Sequence, residues 1–269
     1  MKRILITGAA GSIGTYLRET LRGKYLLRLC DVNAISSPAD GEEFVAADVT
    51  DAPALAPLME DVYGVVHLGG VPREDAWEAI LDINIAGTYN VIEAARRQGV
   101  ERFLFASSNH AMGFYPRSER IGTNVNVRPD SRYGVSKAFG EALGSLYADK
   151  YGMRVMCLRI GNVADEPVDR RRLSIWVSPR DLTQLIEIGL EHPDMRYEIV
   201  YGVSDNARSW WDNSNAARLG YVPVDRSEDY AEKILAAAPT PSPDAIAEIV
   251  QGGDFAVIEK GGGAPQRRG

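Results

Sequence analysis

Short apolar runs rich in β-branched residues alternate with longer segments of helical periodicity over the first two-thirds of the chain. Strands are predicted at residues 3–7, 25–31, 43–47, 64–68, 102–106 and 154–160, and helices at 12–21, 53–59, 77–97 and 132–151. In the last two helices apolar residues recur at helical spacing, among them Leu81, Ile85, Val135 and Phe139. Because strands that alternate with helices are typical of βαβ units, we predict an α/β fold with a parallel sheet.

The pattern loosens after residue 160. A polar loop at 161–172 precedes a predicted helix at 179–190 and a predicted strand near 197–200, and Pro, Ala and Gly become frequent from residue 236. We therefore predict a core of residues 1–160 and a small lobe of residues 161–240 that is interleaved with the core. The remaining residues, 241–269, are predicted to form a partly mobile C-terminal tail.

Charge and composition exclude several classes of function. The chain has 30 basic and 37 acidic residues, a net charge of −7, so we expect neither a nucleic-acid nor a membrane partner. The three histidines are scattered, and we expect no metal site. The N-terminus has no apolar signal region, and Cys30 and Cys157 fall in predicted buried strands. These features favour a reducing, cytoplasmic location.

A glycine-rich run, GAAGSIG at residues 8–14, follows the first predicted strand and opens the first predicted helix. In that context glycines allow a tight turn and close approach to a pyrophosphate, and the helix N-terminus presents free N–H groups. The run therefore predicts a dinucleotide site. Five of its residues are assigned to the cofactor: Gly8, Gly11, Ser12, Ile13 and Gly14.

Asp31 ends the second predicted strand, where a carboxylate can accept hydrogen bonds from the adenosine ribose. The same charge repels a 2′-phosphate, and Val32 and Asn33 offer no positive charge, so NAD is favoured over NADP. The exits of the third and fourth strands are also predicted to border the cofactor, through Asp48, Val49, Leu68, Gly69 and Gly70. We interpret His67 as a core histidine.

Tyr133 and Lys137 are spaced to share one face of a helix. A nearby ammonium and a positively charged nicotinamide both favour a phenolate, so the pair predicts a general base. Ser108 follows the fifth strand, at the carboxyl edge where open α/β sheets bind ligands. Its hydroxyl can hold a reacting oxygen while Tyr133 removes the proton.

These motifs together resemble the extended short-chain dehydrogenase/reductase superfamily over residues 1–235. The resemblance implies a Rossmann-type doubly wound parallel sheet, a small C-terminal substrate lobe, NAD chemistry and a catalytic trio of Ser108, Tyr133 and Lys137. It also implies homo-oligomers, and it adds Asn84 and Ile160 to the cofactor surroundings that already include Tyr133 and Lys137.

Within that superfamily the chain resembles the uronate dehydrogenases, through FASSNH at 105–110, GFY at 113–115, RPD at 128–130, RIG at 159–161 and WWDN at 210–213. Those enzymes oxidise C1 of a pyranose uronic acid with NAD⁺ to an aldarolactone. The resemblance implies that the sugar is surrounded by Pro72, Ser108, Asn109, His110 and Tyr133. It also implies that Arg171 binds the carboxylate, for which a guanidinium has a matching shape.

Three positions depart from the usual uronate dehydrogenase pattern: Pro72, Ala111 and Asn162. They are similar to the NAD-dependent glucose-6-phosphate dehydrogenases of the same superfamily, in which a phosphate replaces the carboxylate. An arginine loop suits either anion, so a sugar-phosphate C1 dehydrogenase stays open as an alternative. A sugar-nucleotide epimerase or dehydratase and a non-catalytic NAD-sensing protein are further alternatives.

Overall fold

A seven-stranded parallel sheet organises the protein, in a computed structural model that describes residues 1–238 and 245–259. The sheet strands are β1 (Arg3–Thr7), β2 (Leu26–Asp31), β3 (Glu42–Ala46), β4 (Gly64–His67), β5 (Arg102–Ser108), β6 (Arg154–Ile160) and β9 (Tyr197–Gly202). Two short strands, β7 (Asn162–Val163) and β8 (Trp176–Val177), pair with each other. The predicted strands are confirmed to within a few residues at each end.

The strand order is β3-β2-β1-β4-β5-β6-β9, with every neighbouring pair parallel. The chain leaves β1 toward β2 and later returns to the other side of β1 with β4, so the direction of winding reverses between β1 and β4. Ligands of open α/β sheets bind at such a reversal, beyond the carboxyl ends of the strands. The predicted doubly wound Rossmann-type architecture is confirmed.

Ten helices connect and cover the strands of the described residues. They are α1 (Ser12–Leu21), α2 (Ala52–Leu55), α3 (Trp77–Ala79), α4 (Gly87–Arg97), α5 (Arg132–Tyr151), α6 (Arg172–Ile175), α7 (Pro179–Glu191), α8 (Ser214–Arg218), α9 (Ala231–Ala237) and α10 (Ile246–Ile249). The helix predicted at 77–97 is one helical run in which the turns at Ile80–Ala86 widen to π geometry between α3 and α4.

Local sequence sets the ends of α5, the helix that carries the predicted catalytic pair. The Ser131 hydroxyl caps it by accepting a hydrogen bond from the Gly134 N–H at 3.0 Å. Gly152 ends it with φ +72°, in the left-handed region that suits glycine. The predicted bounds of α1 and α5 are both confirmed.

Apolar side chains cover both faces of the sheet. One face packs against α1 and α7 through residues such as Leu17 and Leu182, and the other against α4 and α5 through Val91 and Leu143. Cys30 and Cys157 are buried free thiols, as predicted. No helix of the described residues is long and apolar enough to cross a membrane.

Residues beyond β6 contribute to the core as well as to a smaller layer. β9 extends the main sheet and α7 covers it, so described residues beyond position 161 belong to the core of the sheet. A separate apolar cluster includes Ile175, Tyr201 and Trp211, and the rings of Tyr201 and Trp211 stack with centroids 4.8 Å apart. Trp211 therefore packs inside this layer.

The C-terminal segment contains structure that the sequence did not predict. Within the predicted tail, residues 245–259 include α10 and a turn of 3₁₀ helix at Gly253–Ala256, and they pack on the body of the protein. The Gln251 N–H donates to the Tyr115 carbonyl and the Gly252 N–H to that of Gly113. The rest of that tail, residues 241–244 and 260–269, lies outside the described residues, and so does the prediction of mobility there.

Candidate active site

The β1–α1 turn approaches the end of β4 too closely for side chains. Gly8 has φ +69°, and a Cβ there would lie 2.8 Å from backbone atoms of Leu68 and Gly69. A Cβ at Gly14 would lie 2.5 Å from the Ala9 carbonyl oxygen. No side chain caps the N-terminus of α1, so its first N–H groups face outward without a side-chain partner. This is the backbone cradle that a pyrophosphate requires.

A cavity of about 450 Å³ lies over this turn, beside the exits of β2, β3 and β4. All eleven residues that the sequence assigned to this half of the cofactor line it: Gly8, Gly11, Ser12, Ile13, Gly14, Asp31, Asp48, Val49, Leu68, Gly69 and Gly70. The structure therefore brings together residues from four separate loops. Its open, glycine-lined shape fits an extended dinucleotide.

Asp31 is fixed at the rim of this cavity. Its Oδ2 accepts a hydrogen bond from the Ala10 N–H at 3.0 Å, and its Oδ1 accepts one from the Asn33 N–H at 2.8 Å. Each oxygen retains a lone pair for a ribose hydroxyl. The adjacent lining residues Val32 and Asn33 are uncharged, so this end of the cavity fits NAD better than NADP.

The predicted catalytic trio lines a second cavity of about 230 Å³. Ser108, Tyr133, Lys137 and Ile160 line it. Six residues line both cavities: Ser12, Ile13, Leu68, Gly70, Val71 and Pro72. The Lys137 ammonium donates to the Ala106 carbonyl at 2.8 Å and lies 5.3 Å from the centroid of the Tyr133 ring. The two cavities therefore form one continuous cleft across the carboxyl edge of the sheet.

Burial dominates the proton affinities of the catalytic pair. It raises the pKa of Tyr133 to about 12, against a hydrogen bond from Ser108 that lowers it. Burial also lowers the pKa of Lys137 to about 8. The sequence predicted that Lys137 lowers the pKa of Tyr133. Within the protein itself the loss of solvent around Tyr133 outweighs the other influences on its pKa, and the lowering expected from Lys137 with a bound nicotinamide stays a prediction.

Two buried polar side chains support this wall from behind. Glu74 Oε2 accepts a hydrogen bond from the Tyr133 N–H at 3.1 Å and so caps α5 a second time. Asn84 accepts from the Val71 N–H at 2.7 Å and donates to the Val71 carbonyl at 3.0 Å. Asn84 braces the loop around Val71, which lines both cavities, and its assignment to the cofactor surroundings stays a prediction.

The residues assigned to the sugar divide into two groups. Pro72, Ser108 and Tyr133 line the 230 Å³ cavity, as does Asn162, whereas Ala111 is in the apolar cluster around Trp211. Arg171 does not line it. Arg171 borders a neighbouring cavity of about 530 Å³, together with Arg117, Arg170, Arg172 and Phe255.

Asn109 links the two regions. With its amide oxygen turned toward donors, it accepts a hydrogen bond from Arg171 Nη2 at 3.1 Å and donates to the Ile160 carbonyl at 3.2 Å. Arg171 also donates through Nε and Nη2 to the Gln251 carbonyl, at 3.0 and 2.8 Å. Burial and the neighbouring guanidinium groups of Arg172 and Arg117 lower the pKa of Arg171 to about 10.

His110 is enclosed between a carboxylate and an aromatic ring. Its Nδ1 lies 2.7 Å from Oδ2 of Asp130, and its ring stacks on Phe255 with centroids 3.8 Å apart. Burial is the main reason that its pKa is lowered from the ordinary value. Sequence analysis missed Phe255 and Gln251. The glycine pair at 252–253 was the one available signal, since Gly253 adopts φ +64°.

The remaining histidine prediction concerns the core. His67 is buried, its Nδ1 lies 2.7 Å from the Thr7 hydroxyl and its Nε2 lies 3.1 Å from that of Thr88. It faces neither cavity, as expected of a satisfied core side chain. Among residues 1–238 and 245–259, no group of three His, Cys, Asp or Glu side chains is arranged to hold a metal ion.

Comparison with known proteins places this geometry in context. Residues 4–218 match the NAD dependent epimerase/dehydratase family. A uronate dehydrogenase of Pseudomonas putida is 48% identical over 258 residues, covering 95% of this chain and 96% of that protein. An NAD-dependent glucose-6-phosphate dehydrogenase of Haloferax volcanii is 39% identical, covering 84% and 95%.

A solved structure of uronate dehydrogenase from Agrobacterium tumefaciens, a mutant complexed with NAD, has a similar fold. Its TM-score with this protein is 0.92 at 42% identity, over 97% of this chain and all of that one.

Proposed function

This chain belongs to the NAD dependent epimerase/dehydratase family, and from that membership we propose that it is an NAD-dependent uronate dehydrogenase. It oxidises C1 of a pyranose hexuronic acid, such as glucuronate or galacturonate, to an aldarolactone. The predicted cofactor agrees with the family and with the NAD complex of the Agrobacterium protein. The sugar occupies the 230 Å³ cavity beside Tyr133.

In this proposal Tyr133 is the general base. It takes the proton of the C1 hydroxyl as the hydrogen on C1 leaves as hydride, and the C1–O bond becomes the lactone carbonyl. Ser108 orients that hydroxyl and Lys137 supports the ionised phenol. When bound, NAD⁺ accepts the hydride and supplies a positive charge that favours ionisation of Tyr133. From the lobe proposed for residues 161–240, Gly161, Asn162 and Val163 line the 230 Å³ cavity.

The observation that carries the substrate assignment is the state of Arg171. This guanidinium is partly buried, and the described residues place no carboxylate in ion-pair contact with it. Its partners are the Gln251 carbonyl and the Asn109 amide. A buried charge is costly unless it is paired, so a site of this kind is suited to an anionic ligand. Asn109 connects it to Ile160, on the wall of the catalytic cavity.

A second candidate substrate is a sugar phosphate. Arg117, Arg170 and Arg172 surround Arg171 in the larger cavity, and the Haloferax volcanii relative is a glucose-6-phosphate dehydrogenase. However, Arg117 is paired with Glu248 and Arg172 with Asp169, which leaves less positive charge for a dianion. We therefore favour the carboxylate.

Initial rates of NADH formation test the proposal. Purified protein is given glucuronate, galacturonate or glucose 6-phosphate, each with NAD⁺ or NADP⁺. We expect kcat/KM to be highest for a uronate with NAD⁺. A higher value for glucose 6-phosphate would replace the uronate assignment, and turnover of none of the three would refute a C1 dehydrogenase acting on these acids.

Two further proposals concern the protein as a whole. Large apolar side chains are exposed on the helical run from α3 to α4 and on α5: Trp77, Tyr89, Val135, Leu146 and Tyr151. We propose that these surfaces pair in a homo-oligomer, which sedimentation can test. The buried free thiols of Cys30 and Cys157 support a cytoplasmic location.

A further inference from the structure

The carboxylate of Asp130 has no solvent exposure and lies directly behind His110. Asp130 immediately precedes Ser131, the residue that caps α5, and its N–H donates to the His110 carbonyl at 3.3 Å. The two residues are therefore joined both through the backbone and through the bond between Nδ1 and Oδ2. Sequence analysis gave Asp130 no role.

Asp130 can occupy only one position. The Ser131 hydroxyl donates to its Oδ1 at 2.8 Å, which leaves Oδ2 for His110. A Cβ on Gly113 would lie 1.8 Å from Oδ2 and one on Gly252 would lie 1.9 Å from it. The carboxylate is therefore clamped between two glycine backbones, one before α5 and one in the C-terminal segment, so its bond to His110 has a fixed direction.

That bond determines which nitrogen of His110 carries the proton. An ionised carboxylate only accepts hydrogen bonds, so Nδ1 must be the donor. Burial lowers the pKa of His110, which keeps the ring neutral at neutral pH. In a neutral imidazole with Nδ1 protonated, Nε2 is an acceptor. No hydrogen bond links Nε2 to any of the described residues.

The His110 side chain packs against Tyr133, which lines the 230 Å³ cavity, without itself lining any of the three cavities described above. The His110 and Tyr133 rings meet edge to face with centroids 5.9 Å apart, and Phe255 stacks on the histidine while its own centroid lies 6.0 Å from that of Tyr133. An acceptor in this position suits a neutral hydroxyl and is repelled by a carboxylate oxygen. The anionic end of a sugar acid therefore belongs at Arg171 and a ring hydroxyl at His110.

We propose that Asp130 is a positioning residue, which holds His110 in the Nδ1–H form so that Nε2 accepts a hydrogen bond from a hydroxyl of the sugar. This inference rests on the proposed function for the identity of the sugar. The tautomer itself is a property of the free protein and can be measured without any substrate.

The first experiment is Asp130→Asn in the full chain. Because Ser131 donates to the oxygen, the new amide N–H faces Nδ1 and forces Nε2 to become the donor. The Nε2–H of His110 and the O–H of the sugar would then both be donors that face each other, and the hydrogen bond of the wild-type protein would be lost. We expect KM for the best uronate to rise about 10-fold or more while kcat changes less than about 3-fold. An unchanged KM would overturn the proposal.

Asp181→Asn is the matched control. Asp181 is also fully buried and accepts hydrogen bonds from the Ser204 hydroxyl and the Val224 N–H, but it lines none of the three cavities described above. It should lower the melting temperature and leave KM unchanged. In a His110→Ala background, Asp130→Asn should add no further loss of kcat/KM. A fully additive loss would show that Asp130 does not act through His110.

Nitrogen-15 NMR of the three histidines tests the tautomer directly and does not depend on how stable the variant is. In the wild-type protein we expect His110 to be protonated at Nδ1 and unprotonated at Nε2. Protonation at Nε2 would overturn the inference even if uronates are oxidised. The expected tautomer in a protein that oxidises no uronate would refute the proposed function and leave the Asp130 assignment intact.

Discussion

The cofactor half and the substrate half of the cleft are built in different ways. The first cavity is lined by residues that all lie between positions 8 and 83, most of them at the ends of four neighbouring strands. The region around Arg171 and His110 depends on contacts between distant parts of the chain. Arg171 bonds to Asn109 and to the Gln251 carbonyl, and His110 stacks on Phe255. A surface formed by neighbouring strand ends is therefore encoded within one stretch of the sequence, whereas one formed by contacts between distant residues depends on the whole chain.

The largest expected effect separates chemistry from cofactor binding. Tyr133→Phe removes the base but keeps the ring between His110 and the cleft, so turnover should fall about 10³-fold. The affinity for NAD⁺, measured by calorimetry, should stay within about 3-fold of the wild type, since the glycine turn is untouched. Retained turnover would refute Tyr133 as the base.

Arg171→Ala tests the substrate half alone. Loss of two charge-assisted hydrogen bonds should raise KM for glucuronate about 100-fold, with little change in NAD⁺ affinity. Rates with a neutral aldose should not fall, because such a sugar offers no carboxylate. Arg180→Ala, which removes an exposed arginine paired with Asp225, is the control for lost charge. Equal losses on neutral and acidic sugars would contradict the assignment of Arg171.

Asp31→Ala tests the cofactor half alone. Removing the ribose acceptor should weaken NAD⁺ binding about 10-fold and reduce the ratio of the affinity for NAD⁺ to that for NADP⁺. KM for the sugar, measured at saturating NAD⁺, should be unchanged. Asp61→Asn, at an exposed position before β4, removes one negative charge at the opposite edge of the sheet. If both variants weaken NAD⁺ binding equally, the contact at Asp31 is not specific.

The smallest effect is on stability and concerns the core beneath both halves. Burial lowers the pKa of His67 from its ordinary value of 6.5 to about 3. At pH values between these two, the unfolded chain therefore binds more protons than the folded one. Stability from this residue is complete above pH 6.5 and is lost as the pH falls. We expect about 1 kcal/mol less stability at pH 6 than at pH 8.

Urea titrations of the wild type and His67→Gln at the two pH values isolate that contribution. The variant should lose less stability on acidification than the wild type. Parallel pH profiles would show that another group is responsible.

The cofactor half of the cleft was more predictable from the sequence than the substrate half. The glycine turn, Asp31 and the bounds of α1 and α5 were predictable, because periodicity, caps and turn residues act within a few positions. The pairing of Tyr133 with Lys137 followed from helix geometry alone.

What could not be predicted depended on distant contacts. No local pattern indicates that Phe255 stacks on His110, or that the carbonyl of Gln251 accepts hydrogen bonds from the guanidinium of Arg171. The extent to which burial raises the pKa of Tyr133 could not be predicted either, because burial is a property of the finished fold. The bonds of Asn84 to the Val71 backbone were not predictable either, because they join positions 13 residues apart in a loop and a helix.

The packing of residues 245–259 against the turn after β5 has a consequence for the order of events during synthesis. Gly252 pairs with Gly113, so the segment closes a loop that spans about half of the chain, and such closures come late in folding. A nascent chain can assemble the dinucleotide cradle long before Phe255 has left the ribosome. The nascent chain therefore forms the binding site for the coenzyme first and the contacts that select a sugar last.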